Sequence, residues 1–198
     1  MANYRRPHDE DCCSPGPEHH KKEHFPVTIL NCGHGSGLTL PVGPTVLQAP
    51  AQAAGGPVGA PTLVVGTVTL DTRGLDHPDV KIDFSSLINF RANFLSGFEL
   101  TIIFQLSRAC DNGQKIPLAQ WIYEKEADVY LNGLSIPSDV TVDFQFKDPF
   151  GFVWCDCHDC PGCCTYLVEI IDICAFYIEA ASITNVGITA IASGQPRD

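Results

Sequence analysis

The sequence predicts an all-β protein, a jelly-roll-like antiparallel β-sandwich with an extended N-terminal arm. Three observations predict it. From Thr62 onward the text is rich in β-branched and aromatic residues. Turn signals such as Cys110-Asp-Asn-Gly113 and Asn132-Gly133 recur through it and leave room for about eight to ten short strands. Ahead of this text lies a polar, proline-bearing leader with almost nothing to bury.

Residues 1–24 form the arm. They hold Pro7, Pro15 and Pro17, the histidines His8, His19, His20 and His24, and interspersed charges of both signs. The body, 25–198, begins with a strand at Phe25–Cys32. Gly33-His-Gly-Ser-Gly37 breaks the chain, and Leu38–Val42 is expected to pair back on that strand. Residues 43–61, rich in Pro, Ala and Gly, read as an inserted low-complexity loop. Strands are then expected at Thr62–Leu70, Val80–Ile88, Phe94–Leu106, Ile116–Tyr123, Ala127–Leu131 and Val140–Phe146, with Pro149 and Gly151 marking a further turn. Thr165–Ile173 and Ile183–Ile191 read as a final pair of strands. The stretch Leu167–Ala181 is apolar enough for a buried helix, but Tyr, Val, Ile and Phe outnumber good helix formers, so strand is preferred.

A chain of 198 residues holds one domain plus an arm and buries a core without help from cross-links. Its formal net charge of -11 and pI near 4.9 argue against nucleic acid and against anionic membrane surfaces. No apolar run reaches the length of a membrane span. Met1–Arg6 is not followed by an apolar stretch, so synthesis without a secretory signal peptide is expected. That expectation conflicts with the ten cysteines, whose density suggests an oxidising destination. Release by cell lysis satisfies both, as does a cytosolic metal binder with reduced thiols.

The cysteine layout carries the functional reading. Cys155, Cys157, Cys160, Cys163 and Cys164 crowd together, Cys174 follows, Cys32 and Cys110 are isolated, and Cys12 and Cys13 are adjacent in the arm. The cluster is expected to be a strand-connecting loop stapled by disulfides to itself or to nearby strands. The alternative is a zinc site on Cys155, Cys157, Cys160 and Cys163, with His158 as a further possible ligand. An iron–sulfur run fails because Leu167 stands where its fourth cysteine belongs. Cys12 and Cys13 would bond each other only with strain. On an extended arm they face opposite sides, which suits two different partners. An arm of 24 residues reaches at most about 80 Å, while a body of this size is roughly 40 Å across. The arm is long enough to lie across a neighbour and add a strand there.

Enzyme signals fail. Gly33–Gly37 is neither a nucleophile elbow nor a dinucleotide loop, since no helix follows. Asp71–Asp76 does not match a calcium loop. Cys157-His-Asp-Cys160 lacks the βαβ context of a redox motif. Trp121 and Trp154 offer sugar platforms, but both fall in strand text where core packing is the default. No catalytic residue and no cofactor is expected.

Val68–Thr72, Pro78–Ser86, Phe104–Gln114 and above all Val153-Trp-Cys-Asp-Cys-His-Asp-Cys-Pro-Gly-Cys-Cys-Thr-Tyr166 resemble segments of the cysteine-rich domains of unknown function of spore-forming Clostridia. The arm resembles that of endospore appendage (Ena) subunits, jelly-roll proteins whose connector carries a Cys-Cys pair. That resemblance implies that Cys12 and Cys13 are connector thiols forming inter-subunit disulfides, with Cys32 as acceptor. Cys110 and Cys174 remain further disulfide candidates. The expected function is a non-enzymatic structural subunit that polymerises with itself into a disulfide-cross-linked extracellular or spore-surface fibre.

Overall fold

The computed structural model describes residues 25–42, 62–93, 97–111, 113–128, 143–157 and 162–197. The expected arm at 1–24 with Cys12 and Cys13, the loop at 43–61, and His158 and Cys160 lie outside the described residues. The described elements are all strands: β1 (Val27–Cys32), β2 (His34–Gly35), β3 (Leu38–Thr39), β4 (Leu63–Asp71), β5 (Leu75–Asn93), β6 (Phe98–Cys110), β7 (Ile116–Ala127), β8 (Asp143–Cys157), β9 (Cys163–Phe176) and β10 (Ile178–Pro196). One sheet runs β1-β10-β5-β8, with β3 also pairing β10, and the other runs β2-β4-β9-β6-β7. Every pairing is antiparallel. The long strands change sheet at each connection except β6 to β7, which is the interleaving of a jelly roll.

Period-two alternation builds the core. In β6, Phe98, Leu100, Ile102, Phe104 and Leu106 are all buried while their neighbours face outward. Ile82, Ile88, Ile183 and Ile188 of the facing sheet and Tyr166 of the neighbouring strand β9 are buried in the same cluster. Each such side chain contributes roughly 1.5–3 kcal/mol by leaving water.

The two open sides of the sandwich are closed differently. On the β7–β8 side aromatic rings interleave: Trp121 stacks on Phe152 at 3.7 Å between centroids and meets Trp154 edge-on at 6.0 Å, and Phe150 stacks on Phe104 at 4.4 Å. Two Asp residues in β8 extend this closure. Asp148 accepts hydrogen bonds from Tyr123 Oη at 2.9 Å and Lys125 Nζ at 3.0 Å. Asp156 accepts from Arg108 Nη1 at 2.6 Å and Tyr166 Oη at 3.0 Å. On the β1–β4 side the chain itself crosses between sheets at Gly33. A Cβ there would lie 2.1 Å from the Thr67 carbonyl oxygen, so only glycine fits.

Three expectations are corrected. Leu38–Thr39 pairs with Ile183 and Ser182 of β10, not with β1, because the crossing at Gly33 has already carried the chain away. Pro149 and Gly151 do not end a strand. They lie within β8, opposite Leu87 and Ser85; among the described residues β8 has one neighbour, and a strand bonded on one side tolerates a residue lacking an N–H. The last two strands are not partners: β9 and β10 belong to opposite sheets, joined through Tyr177 at φ 53°. The ambiguous stretch Leu167–Ala181 is strand on both sides of that corner.

Candidate assembly face and cysteine sites

The outer face of the β1-β10-β5-β8 sheet carries the most accessible chemistry. Side chains alternate, so Ile29 of β1 packs on the core while Leu30 and Cys32 face outward. Cys32 is exposed and not disulfide-bonded. It sits opposite Thr189, which pairs with Asp83, which pairs with Val153, so one row of side chains crosses all four strands. Beside that row runs a groove of about 540 Å³ lined by Cys32, Asp83, Ser85, Gly151, Val153 and Gly187 among others. Its floor is low because three of its residues, Gly33, Gly151 and Gly187, lack side chains. A Cβ at Gly151 would fall 2.6 Å from the Phe84 carbonyl oxygen, and one at Gly187 would fall 3.1 Å from Ser85 Oγ.

The cysteine cluster spans the connection from β8 to β9, its two ends lie in opposite sheets, and Cys164 staples it to a nearby strand. Cys155 and Cys157 end β8, opposite Lys81 and Asp79, and both are exposed. Cys163 and Cys164 begin β9 in the facing sheet. Cys164 is buried and bonded to Cys110 of β6, with their Cα atoms 4.0 Å apart. The flanking residues explain the pairing. Asp111 N–H donates to the Cys163 carbonyl at 2.9 Å, so 111 and 163 form the hydrogen-bonded pair. Residues 110 and 164 are then a non-hydrogen-bonded pair, the position where facing side chains come closest. Cys163 faces outward near Asp71, its strand partner. Cys174 is half-buried, and burial, with Glu99 and Asp172 nearby, pushes its thiol pKa up.

Among the described residues no group of three or more His, Cys, Asp or Glu is placed to hold a metal ion. Cys160, the remaining member of the zinc set, lies outside those residues. Trp121 and Trp154 are both turned into the interior stack.

Three polar constellations are absent from the sequence reading. Arg108–Asp156–Tyr166 is a largely buried clamp between the sheets, and Lys125–Asp148–Tyr123 is a more exposed one. Burial alone would raise the Asp148 pKa, but the hydrogen bonds from Lys125 and Tyr123 outweigh it and hold the carboxyl below its usual value. The third is Glu169 on the outer face of the other sheet, buried yet bonded by Lys115 Nζ at 2.7 and 2.9 Å, Ser107 Oγ at 3.0 Å and Thr62 Oγ1 at 3.1 Å. Those donors likewise outweigh desolvation and lower its pKa. Near the cluster, exposed Asp71 is brought to about 2 by its hydrogen bonds from Arg73.

Over residues 26–193 the sequence matches the profile of a family described as a domain of unknown function, DUF4489. The chain belongs to that family. DUF4489 therefore covers the jelly roll from β1 into β10. No curated protein matches. Among solved structures, the DUF4489 chain is similar to "Structure of infectious bursal disease virus Gx strain", at 9% identity and a TM-score of 0.35, covering 93% of this chain and 42% of that one. It is also similar to "Crystal structure of infectious bursal disease virus VP2 subviral particle", at 12% identity and a TM-score of 0.28, covering 87% of this chain and 38% of that one. The DUF4489 chain thus spans less than half the length of these neighbours.

Proposed function

We propose that this chain is a non-enzymatic structural subunit that self-assembles into a disulfide-cross-linked extracellular or spore-surface fibre. The observation that carries the reading is Cys32: an exposed thiol on an edge strand, at the rim of a glycine-floored groove, in a body whose described disulfide is internal. A thiol so placed, with a two-cysteine arm elsewhere in the chain, suits a bond between copies. The arm of one subunit enters the groove of the next, and Cys12 or Cys13 bonds to Cys32. The other arm cysteine faces away and serves a second neighbour. Among the described residues β1 and β8 each have a single partner strand, so both offer open backbone edges for strand pairing. Each backbone hydrogen bond there contributes about 1 kcal/mol net. A disulfide makes the contact persist until it is reduced. A head-to-tail contact whose rotation does not close into a ring extends as a filament. The likeness of the arm to endospore appendage connectors supports the fibre and its spore-surface location.

The test is a denaturing gel and negative-stain microscopy of purified full-length protein with and without reductant. Reductant-sensitive ladders and fibres are expected, and Cys32→Ser or the Cys12→Ser/Cys13→Ser pair should abolish the ladders. Equally robust ladders in both variants overturn the arm-locking role. A monomeric mass with stoichiometric zinc would instead support a soluble zinc-binding module on Cys155, Cys157, Cys160 and Cys163.

A further inference from the structure

A second hollow, of about 400 Å³, lies on the same outer face as the Cys32 groove, toward the Tyr177 corner. Two adjacent rows build it. Ser182, Asn89 and Lys147 form one, and Ala180, Arg91 and Gln145 form the next. Small residues on β10 leave the floor low, and the long side chains of β5 and β8 wall it. Its charge is unusual for this molecule. The chain carries 12 Lys and Arg against 23 Asp and Glu, yet two cations face this one hollow. Arg91 is bridged to Glu179 at 2.7 Å. Lys147 has no ion-pair partner among the described residues. The hollow therefore suits a carboxylate.

We propose that the occupant is Glu18 from the arm of a second copy. The assignment rests on the arm-exchange reading above and adds a partner residue to it. Chain length matches Glu18 at full extension, whereas Glu23, ten residues past Cys13 and roughly 33 Å when extended, reaches only with the chain slack. Asp83, in the Cys32 row, precedes Asn89 by six residues and Arg91 by eight, about 20 and 26 Å of strand. β5 lies two strands from β1, adding roughly 10 Å sideways. Cys32 and the hollow are thus separated by about 25 Å. Glu18 follows Cys13 by five residues, roughly 16 Å when extended. The disulfide adds about 5.5 Å between Cα atoms, and the Glu and Lys side chains cover the remainder. Asp9, Glu10 and Asp11 lie within three residues of Cys12, roughly 10 Å, and fall short. Pro15 and Pro17 in the intervening segment favour an extended chain.

The experiment follows the rate of reductant-sensitive multimer formation by full-length protein under air oxidation, at low and high salt. Lys147→Glu and Glu18→Lys should each slow the low-salt rate by about two- to fivefold, the effect of one exposed ion pair. The double variant Glu18→Lys/Lys147→Glu should recover most of it, and high salt should erase the differences. Circular dichroism of each variant checks that the sandwich is folded. Unchanged rates in both single variants overturn the assignment, as does slowing by Lys147→Glu alone, which would give the hollow another occupant. If multimers form without Cys12 and Cys13, the arm-exchange reading itself fails. If they need those cysteines but ignore Lys147 and Glu18, only the hollow's occupant is wrong.

Discussion

The Cys110–Cys164 bond closes a loop with a sequence separation of 54 residues. Cross-linking such a loop removes roughly 14 cal/mol/K from the unfolded chain, about 4 kcal/mol at 25 °C. For a body of this size each kcal/mol moves Tm by about 2–4 °C, so losing the bond should lower Tm by roughly 8–16 °C. Alanine at both positions is the suitable replacement, because Cys164 is buried and a serine hydroxyl there would need a partner. The measurement belongs in a Cys12→Ser/Cys13→Ser background, so that assembly does not shift the apparent Tm. Calorimetry should show Cys110→Ala/Cys164→Ala melting well below its oxidised parent and close to the reduced parent. A variant that melts within about 2 °C of the oxidised parent refutes the loop-closure reasoning. In the otherwise native chain the same double change should leave intermolecular ladders intact, since this bond lies within one molecule.

Arg108→Met removes the cation paired with Asp156 between the sheets, where the side chains of the pair are 15% and 11% exposed, while Tyr166 Oη goes on donating to the carboxylate. Urea denaturation should show a loss of about 3 kcal/mol, and Arg108→Lys should recover part of it. The carboxyls of Asp148 and Glu169 have lowered folded-state pKa values. Their stabilisation is therefore present above the ordinary carboxylate range and is lost as pH falls through the lowered values. The urea midpoint should hold near neutrality and drop below about pH 4. Asp148→Asn should flatten that drop, and an acid limb identical to the parent's would remove Asp148 from the account.

The sandwich was legible because strand alternation is local and strong in β5 and β6. The Cys110–Gly113 turn was legible too, and Gly113 N–H donates to the Cys110 carbonyl at 2.7 Å. The course of β8 was obscured by Pro149 and Gly151, which signal turns everywhere except on an edge strand. Its full pattern was nonetheless present: Phe146, Asp148, Phe150, Phe152, Trp154 and Asp156 hold one parity without a break. Two acids at inward positions of an otherwise aromatic run are the signal that would have revealed both clamps. The division of the cysteine cluster could not be read from spacing, because it depends on which sheet each flanking strand joins. The two hollows were equally hidden, since the strand partners that line them, such as Arg91 and Gln145 or Asn89 and Ser182, lie more than 50 positions apart and meet only through register.

β10 is the keystone of its sheet, wedged between β1 and β5 and also holding β3. Among the described residues it is the last strand in chain order, and β1 is the first. During synthesis β1 must wait through some 150 residues of growing polypeptide for the neighbour that gives it a place. Gly187, Ile188 and Thr189 help make the Cys32 groove, and Ala180, Ala181 and Ser182 help make the basic hollow. Neither hollow exists before β10 has been made. If subunits polymerise through these surfaces as proposed, each is inert toward its siblings on the same messenger until that strand emerges and folds into place.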